Sequence, residues 1–313
     1  MAGSFPVAPQ VRTRRIRALA LITFSLSLLV VAASSALRLY GAGLGCVDWP
    51  ACYGQVLHGA PPAPWAAARL LHRVVATLAL LAGMLLAWRC WRPQPLQPAA
   101  RYATLLLALM LLLSLVGVWS ADQRNAAVNL VNLMGGLGLV SFSWRVAINA
   151  EPGRWVEQGR GGPVCRIALG VLTLTVLAGG LIGARYAAAA CGSLPACAGE
   201  WLPPPQGLAA LDPFVVLSGP AGPGEPGGVA LHLLHRHAAA LSMLLFLVVA
   251  ARLRRAPQAR RAVLAVLTFL ALEAALGALT VASGHALWLA VAHNVGAALL
   301  LAAAASLMYA IRK

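Results

Sequence analysis

Eight apolar runs dictate what this chain can become; they fall near residues 18–40, 66–88, 102–121, 126–148, 167–185, 229–251, 262–282 and 286–309. At about 1.5 Å of rise per residue, a helix of about 20 residues crosses the roughly 30 Å of hydrocarbon in a bilayer. Backbone amides find no water at that depth, so each run must satisfy its own hydrogen bonds, as an α-helix does. Only 10% of the 313 residues are charged, against about 25% in a soluble domain. The expected fold is all-α and integral to a membrane, with eight transmembrane helices.

The first run is too long for a signal-peptide core and no clear cleavage site ends it, so it reads as a retained helix. An even number of helices puts both termini on one side. A net charge of +16 could in principle serve nucleic acid. The basic residues instead form short clusters between apolar runs, which excludes a nucleic-acid face and marks the side they occupy as the inner one. With the N-terminus inside, 18 of the 24 Lys and Arg residues fall in inner segments. Both termini are therefore expected in the cytoplasm.

The outer segments repeat. Residues 41–65 and 186–228 are long, rich in Gly and Pro, and each holds a cysteine pair, whereas the outer turns near 122–125 and 283–285 are short. Arg38-Leu-Tyr-Gly-Ala-Gly-Leu-Gly-Cys46 resembles Arg185-Tyr-Ala-Ala-Ala-Ala-Cys191. Cys46-Val-Asp-Trp-Pro-Ala-Cys52 matches Cys191-Gly-Ser-Leu-Pro-Ala-Cys197. Arg69-Leu-Leu-His72-Arg73 matches His232-Leu-Leu-His235-Arg236, and Asn132-Leu-Met-Gly135 falls where His293-Asn-Val-Gly296 falls. Recurrence in the same order divides the chain into four-helix halves, 1–155 and 156–313. With four helices each, the halves run parallel rather than inverted.

Ionisable side chains are costly in hydrocarbon, so intramembrane histidines are functional candidates. His72, His235 and His293 all lie about seven residues, or roughly 10 Å, inside their helices, with Asn132 at the same depth. Neutral imidazoles facing each other across a bundle suit bis-histidine haem ligation. Arg73 and Arg236, each beside a histidine, could pair with haem propionates. Hydrogen bonding between helices remains the plain alternative. Zinc is a weaker fit because no third or fourth ligand stands at that depth. A proton pathway through Glu273 and the histidines is a further alternative.

Both cysteine pairs face the outer compartment, oxidising in a bacterium, and five intervening residues permit closure into a disulfide. Cys191 and Cys197 read as a loop staple. For Cys46 and Cys52 a staple and a redox or covalent role both stand open. Cys90 and Cys165 lie near the inner surface and read as unpaired thiols.

The run Gly41-Ala-Gly-Leu-Gly-Cys46-Val-Asp48-Trp49-Pro50-Ala-Cys52-Tyr53-Gly54, followed by His72-Arg73, His235-Arg236 and His293-Asn294, resembles the haem A synthase family over nearly the whole chain. The resemblance implies an eight-helix protein of a bacterial inner membrane, its cysteine loops in the periplasm. Its implied activity is oxidation of the C8 methyl of haem O to the formyl of haem A, for cytochrome oxidase assembly. It also implies haem b, with its iron, on His235 and His293, and substrate haem in the N-terminal half at His72. Cys46 and Cys52 would support activity. Implied partners are haem O and haem O synthase or cytochrome oxidase assembly factors; the lipid bilayer surrounds the chain, and the sequence leaves open whether it forms a homo-oligomer. Two positions depart from the family pattern: Arg69 stands where the family has a catalytic glutamate, and Asn132 where it has a fourth histidine. Asparagine is a poor iron ligand and arginine cannot serve as a carboxylate base. A non-catalytic haem-binding carrier of the same family is the alternative these departures motivate. The sequence holds no G-x-G-x-x-G dinucleotide fingerprint after a strand, so electrons are expected from outside.

Overall fold

The computed structural model describes residues 9–41, 64–117, 124–150, 162–217 and 219–311. Among them the chain forms α1 (Pro9–Gly41), α2 (Pro64–Trp91), α3 (Ala100–Val116), α4 (Ala126–Asn149), α5 (Gly162–Ala184), α6 (Pro226–Leu253), α7 (Pro257–Ala282) and α8 (Leu287–Ala310). No strand occurs among the described residues, and the fold is that of an all-α integral membrane protein. Seven helices are long and apolar enough to span; α3, at 17 residues, is shorter than the run 102–121 led us to expect. Residues 118–121 of that run lie outside the described set.

Local chemistry explains where the helices begin. The Asn125 side chain caps α4 by accepting from the Val128 amide at 3.1 Å. Glu225 caps α6 by accepting from the Gly227 and Gly228 amides at 2.9 and 2.6 Å, with Pro226 at the first helical position, where a missing N–H costs nothing. Between α7 and α8, Gly284 and His285 both adopt positive φ, which reverses the chain in a few residues. Within the spans, hydroxyls satisfy themselves on their own helix: Thr23, Ser143, Thr175 and Ser306 each donate to a carbonyl one turn back. Large apolar side chains such as Leu70, Leu81, Leu174 and Leu244 lie exposed, a surface suited to lipid rather than water.

Helices α1 to α4 pack as one group and α5 to α8 as another. The seam between them is made by α4 on α8, flanked by α1 on α8 and α4 on α5. Val31, Leu137, Val140 and Ala298 form its buried core, and Trp144 Nε1 donates to Ser306 Oγ across it at 2.7 Å. Inside the groups one contrast stands out: α1 lies along α4, whereas α5 and α8 do not pack closely against each other. Above α6, the segment 186–217 folds into two short 3-10 helices, Ala188–Ala190 and Pro205–Leu211. It also reaches the other group, where the Leu217 amide donates to the Arg124 carbonyl at 3.0 Å.

Candidate functional site

The site begins with glycine. Gly227 and Gly228 open α6, and a Cβ on Gly227 would stand 2.9 Å from that of Ala210, while one on Gly228 would overlap Ala190. Their absence lets the outer segment settle directly onto the helix end. Beneath it His232 is buried, its Nε2 3.1 Å from the Ala187 carbonyl. This histidine ties the roof to the helix.

His235 lies one turn deeper. Its Nδ1 is 2.9 Å from the carbonyl oxygen of Thr175 on α5. That carbonyl can only accept, so Nδ1 carries the proton and the Nε2 lone pair is left free. Access to the carbonyl depends on Gly179, where a Cβ would sit 2.9 Å from His235 Cε1. His293 comes from α8, and its Nδ1 is 3.1 Å from Oε2 of Glu273 on α7. Gly277, one turn along from Glu273, leaves room for the ring: a Cβ there would lie 3.4 Å from His293 Cε1. Gly296, one turn from His293, leaves room for the carboxyl, which a Cβ would strike.

His235 Nδ1 is engaged at the Thr175 carbonyl and His293 Nδ1 faces the Glu273 carboxyl, which leaves the two Nε2 atoms as the candidates to hold a ligand. The ring centroids are 6.2 Å apart and the planes are nearly perpendicular, at 87°. Among the described residues no group of three or more His, Cys, Asp or Glu side chains could hold a metal ion. A bare ion would want a third and fourth protein ligand. A porphyrin brings four nitrogens of its own, so two axial histidines suffice, and the donor set fits haem.

A family model described as COX15-CtaA, cytochrome oxidase assembly protein, matches residues 122–305. The matched stretch contains His235, Glu273 and His293 and more than half the chain. The chain belongs to this family. Heme A synthase of Shewanella oneidensis is 30% identical over 318 residues, 92% of this chain and 94% of the relative. Heme A synthase of Shouchella clausii is 26% identical over 245 residues, 74% of each.

In this COX15-CtaA protein the other candidate residues are distributed as follows. Cys191 and Cys197 are joined in a disulfide, with Cα atoms 5.2 Å apart. Arg236 is committed to that loop: its guanidinium donates to the carbonyls of Ser193 (3.0 Å), Pro195 (3.0 Å) and Ala196 (3.3 Å) and to Cys191 Sγ (3.1 Å). Cys90 and Cys165 are buried free thiols. His72 and Asn132 are half-buried on α2 and α4, and Arg69 and Arg73 are exposed on α2. Cys46 and Cys52 lie outside the described residues.

Sequence reasoning missed Thr175, Gly179, Gly277 and Gly296, and saw Glu273 only as part of a proton path. A signal existed in the repeat. Glu273-Ala-Ala-Leu-Gly277 falls where Leu113-Ser-Leu-Val-Gly117 falls, and Gly296 falls where Gly135 falls. In the first half, a Cβ on Gly135 would strike Leu113 as one on Gly296 would strike Glu273. The glycine is kept, and its occupant has changed from leucine to carboxylate.

Proposed function

We propose that the protein is a haem A synthase-type oxidoreductase of a bacterial inner membrane, holding haem b between His235 and His293. The C8 methyl of haem O, received in the N-terminal half, would become the formyl of haem A. The observation that carries the reading is the pair of histidines 6.2 Å apart with both Nδ1 atoms turned to the walls. The haem, when bound, supplies one-electron redox chemistry between two imidazoles. The chain does the rest. The Thr175 carbonyl orients His235, Glu273 orients His293, and the disulfide loop held by Arg236 keeps water from the outer end of α6.

In the first half, His72 would position the substrate haem and Arg73 would meet its propionates, with Cys46 and Cys52 completing the outer end. The halves 1–155 and 156–313 are proposed as parallel repeats. Matching helix pairs support this: α1–α2 with α5–α6, α3–α4 with α7–α8, and α1–α8 with α4–α5. Both termini are proposed to be cytoplasmic and the cysteine loops periplasmic, on the arginine distribution.

A second reading, a haem-binding assembly or carrier protein without synthase activity, is favoured by Arg69, Asn132 and Leu113 in the first half. The haem content of detergent-purified protein separates the two. Haem b together with haem O or A supports the synthase. Haem b alone supports the carrier, and absence of any haem overturns both. Arg69→Glu is expected to raise haem A formation or leave it unchanged; a clear loss would give Arg69 a role of its own.

A further inference from the structure

Of the eight acidic residues in the chain, Glu273 alone lies within an apolar run. A carboxylate at that depth is costly unless something compensates it. It is 7% exposed, Oε2 stands 3.1 Å from His293 Nδ1 as a charge contact without hydrogen-bond alignment, and both Oε1 and that Nδ1 are buried without a hydrogen-bond partner. Gly296 leaves the space the carboxyl fills, and the matching space in the first half holds Leu113. Nothing in the fold requires an acid there: leucine fills the equivalent space beside Asn132. The acid accompanies the histidine.

We propose that Glu273 is a positioning residue for the redox centre of the second half, resting on the haem reading above. Its carboxylate stands 3.1 Å from His293 Nδ1, and the negative charge there favours the tautomer that carries its proton on Nδ1 and leaves the Nε2 lone pair for the site. It also draws the Nδ1 proton toward itself, which makes the imidazole a stronger donor to iron. A ferric porphyrin carries a net positive charge that the ferrous form lacks. The nearby negative charge therefore stabilises the oxidised state and lowers the reduction potential. The second half is tuned to give up an electron, and the first half carries no such device beside Asn132.

The test is a spectroelectrochemical titration of the full-length, haem-loaded protein as wild type, Glu273→Gln and Glu273→Asp. Glu273→Gln keeps a hydrogen-bond acceptor and removes the charge. It is expected to move the reduction equilibrium about tenfold toward the reduced form, about 59 mV for one electron. Glu273→Asp, with its carboxyl one methylene back, shifts the same way by less. Wild-type midpoints in both variants, with the bis-histidine spectrum retained, overturn the inference and leave the haem site standing. Wild-type protein that binds no haem overturns the site and the inference together. Loss of haem from both variants, in protein that still melts as wild type does, supports the positioning role.

Discussion

The N-terminal ends of α2 and α6 come from matching stretches of sequence and meet different surroundings. On α6, Leu231, His232 and Leu233 are buried under the disulfide loop and the 3-10 helices. On α2, Leu70 and Leu71 are 64% and 60% exposed. The difference continues inward. Where the second half sets His293 beside Glu273, the first sets Asn132 on α4 and Leu113 on α3. Where α5 stands off from α8, α1 lies along α4. A flat cofactor needs helices that part, axial donors at one depth, and partners that hold those donors in one tautomer. In the second half α5 and α8 part, His235 and His293 face each other at 6.2 Å, and Thr175 and Glu273 stand beside their Nδ1 atoms. The comparison teaches that two similar helix groups can keep matching glycines, Gly135 and Gly296, while the side chains that fill the space beside them differ.

The largest expected effect comes from removing the ligands. His235→Ala and His293→Ala should each abolish the bis-histidine spectrum, whereas His72→Ala should leave it in place. An unchanged spectrum in both single variants would remove the assignment. Next in size is an attempt to make the halves alike. Asn132→His combined with Leu113→Glu places in the first half the residues of the second, and should raise the haem that shows a bis-histidine spectrum from about one per chain toward two. An unchanged ratio would mean that the close approach of α1 and α4, rather than the missing side chains, sets the limit.

A smaller effect is expected from Gly179→Ala. The new methyl would press on His235 Cε1 and displace the ring from the Thr175 carbonyl, lowering haem affinity roughly 10–100-fold in a competition assay. Wild-type affinity would show that the Thr175 contact is dispensable. Replacing Cys191 by Ser opens the outer loop and should cost about 2 kcal/mol by the chain-entropy argument for so short a loop, read as a lower melting temperature. The same treatment with reductant should lower the wild type to match.

The smallest effect concerns acid. His285, in the turn between α7 and α8, is held below the usual histidine range by burial and then by the charge of Arg236. The folded protein keeps it neutral where the unfolded chain would take a proton. Its contribution to stability is therefore present above about pH 6.5 and lost as pH falls below that value. His285→Asn, which tolerates the positive φ of 66°, should flatten the melting profile between pH 7 and 5 in proportion. An identical slope would exclude His285 as the source.

Much of this architecture was legible in the chain because the hydrocarbon leaves it few choices. Apolar length gave the helices from α1 to α8, with α3 shorter than expected. Cysteine spacing gave the Cys191–Cys197 bridge, and depth counting put His235 and His293 at one level. What stayed hidden depends on which faces meet. A residue count cannot say that Thr175 turns its carbonyl to His235, or that Gly296 is vacant for Glu273. Arg236 taught the same lesson from the other side. Its sequence neighbourhood pointed to His235, and nothing in it announced that the guanidinium also holds the carbonyls of Ser193, Pro195 and Ala196.

One helix belongs to both halves. Toward its N-terminal end α8 carries His293, and toward its C-terminal end Ser306 accepts from Trp144 of α4, the helix that carries Asn132. The ligand therefore rides on a beam bolted to the neighbouring compartment. Whatever tilts that beam to admit a guest on one side must move the furnishings of the other.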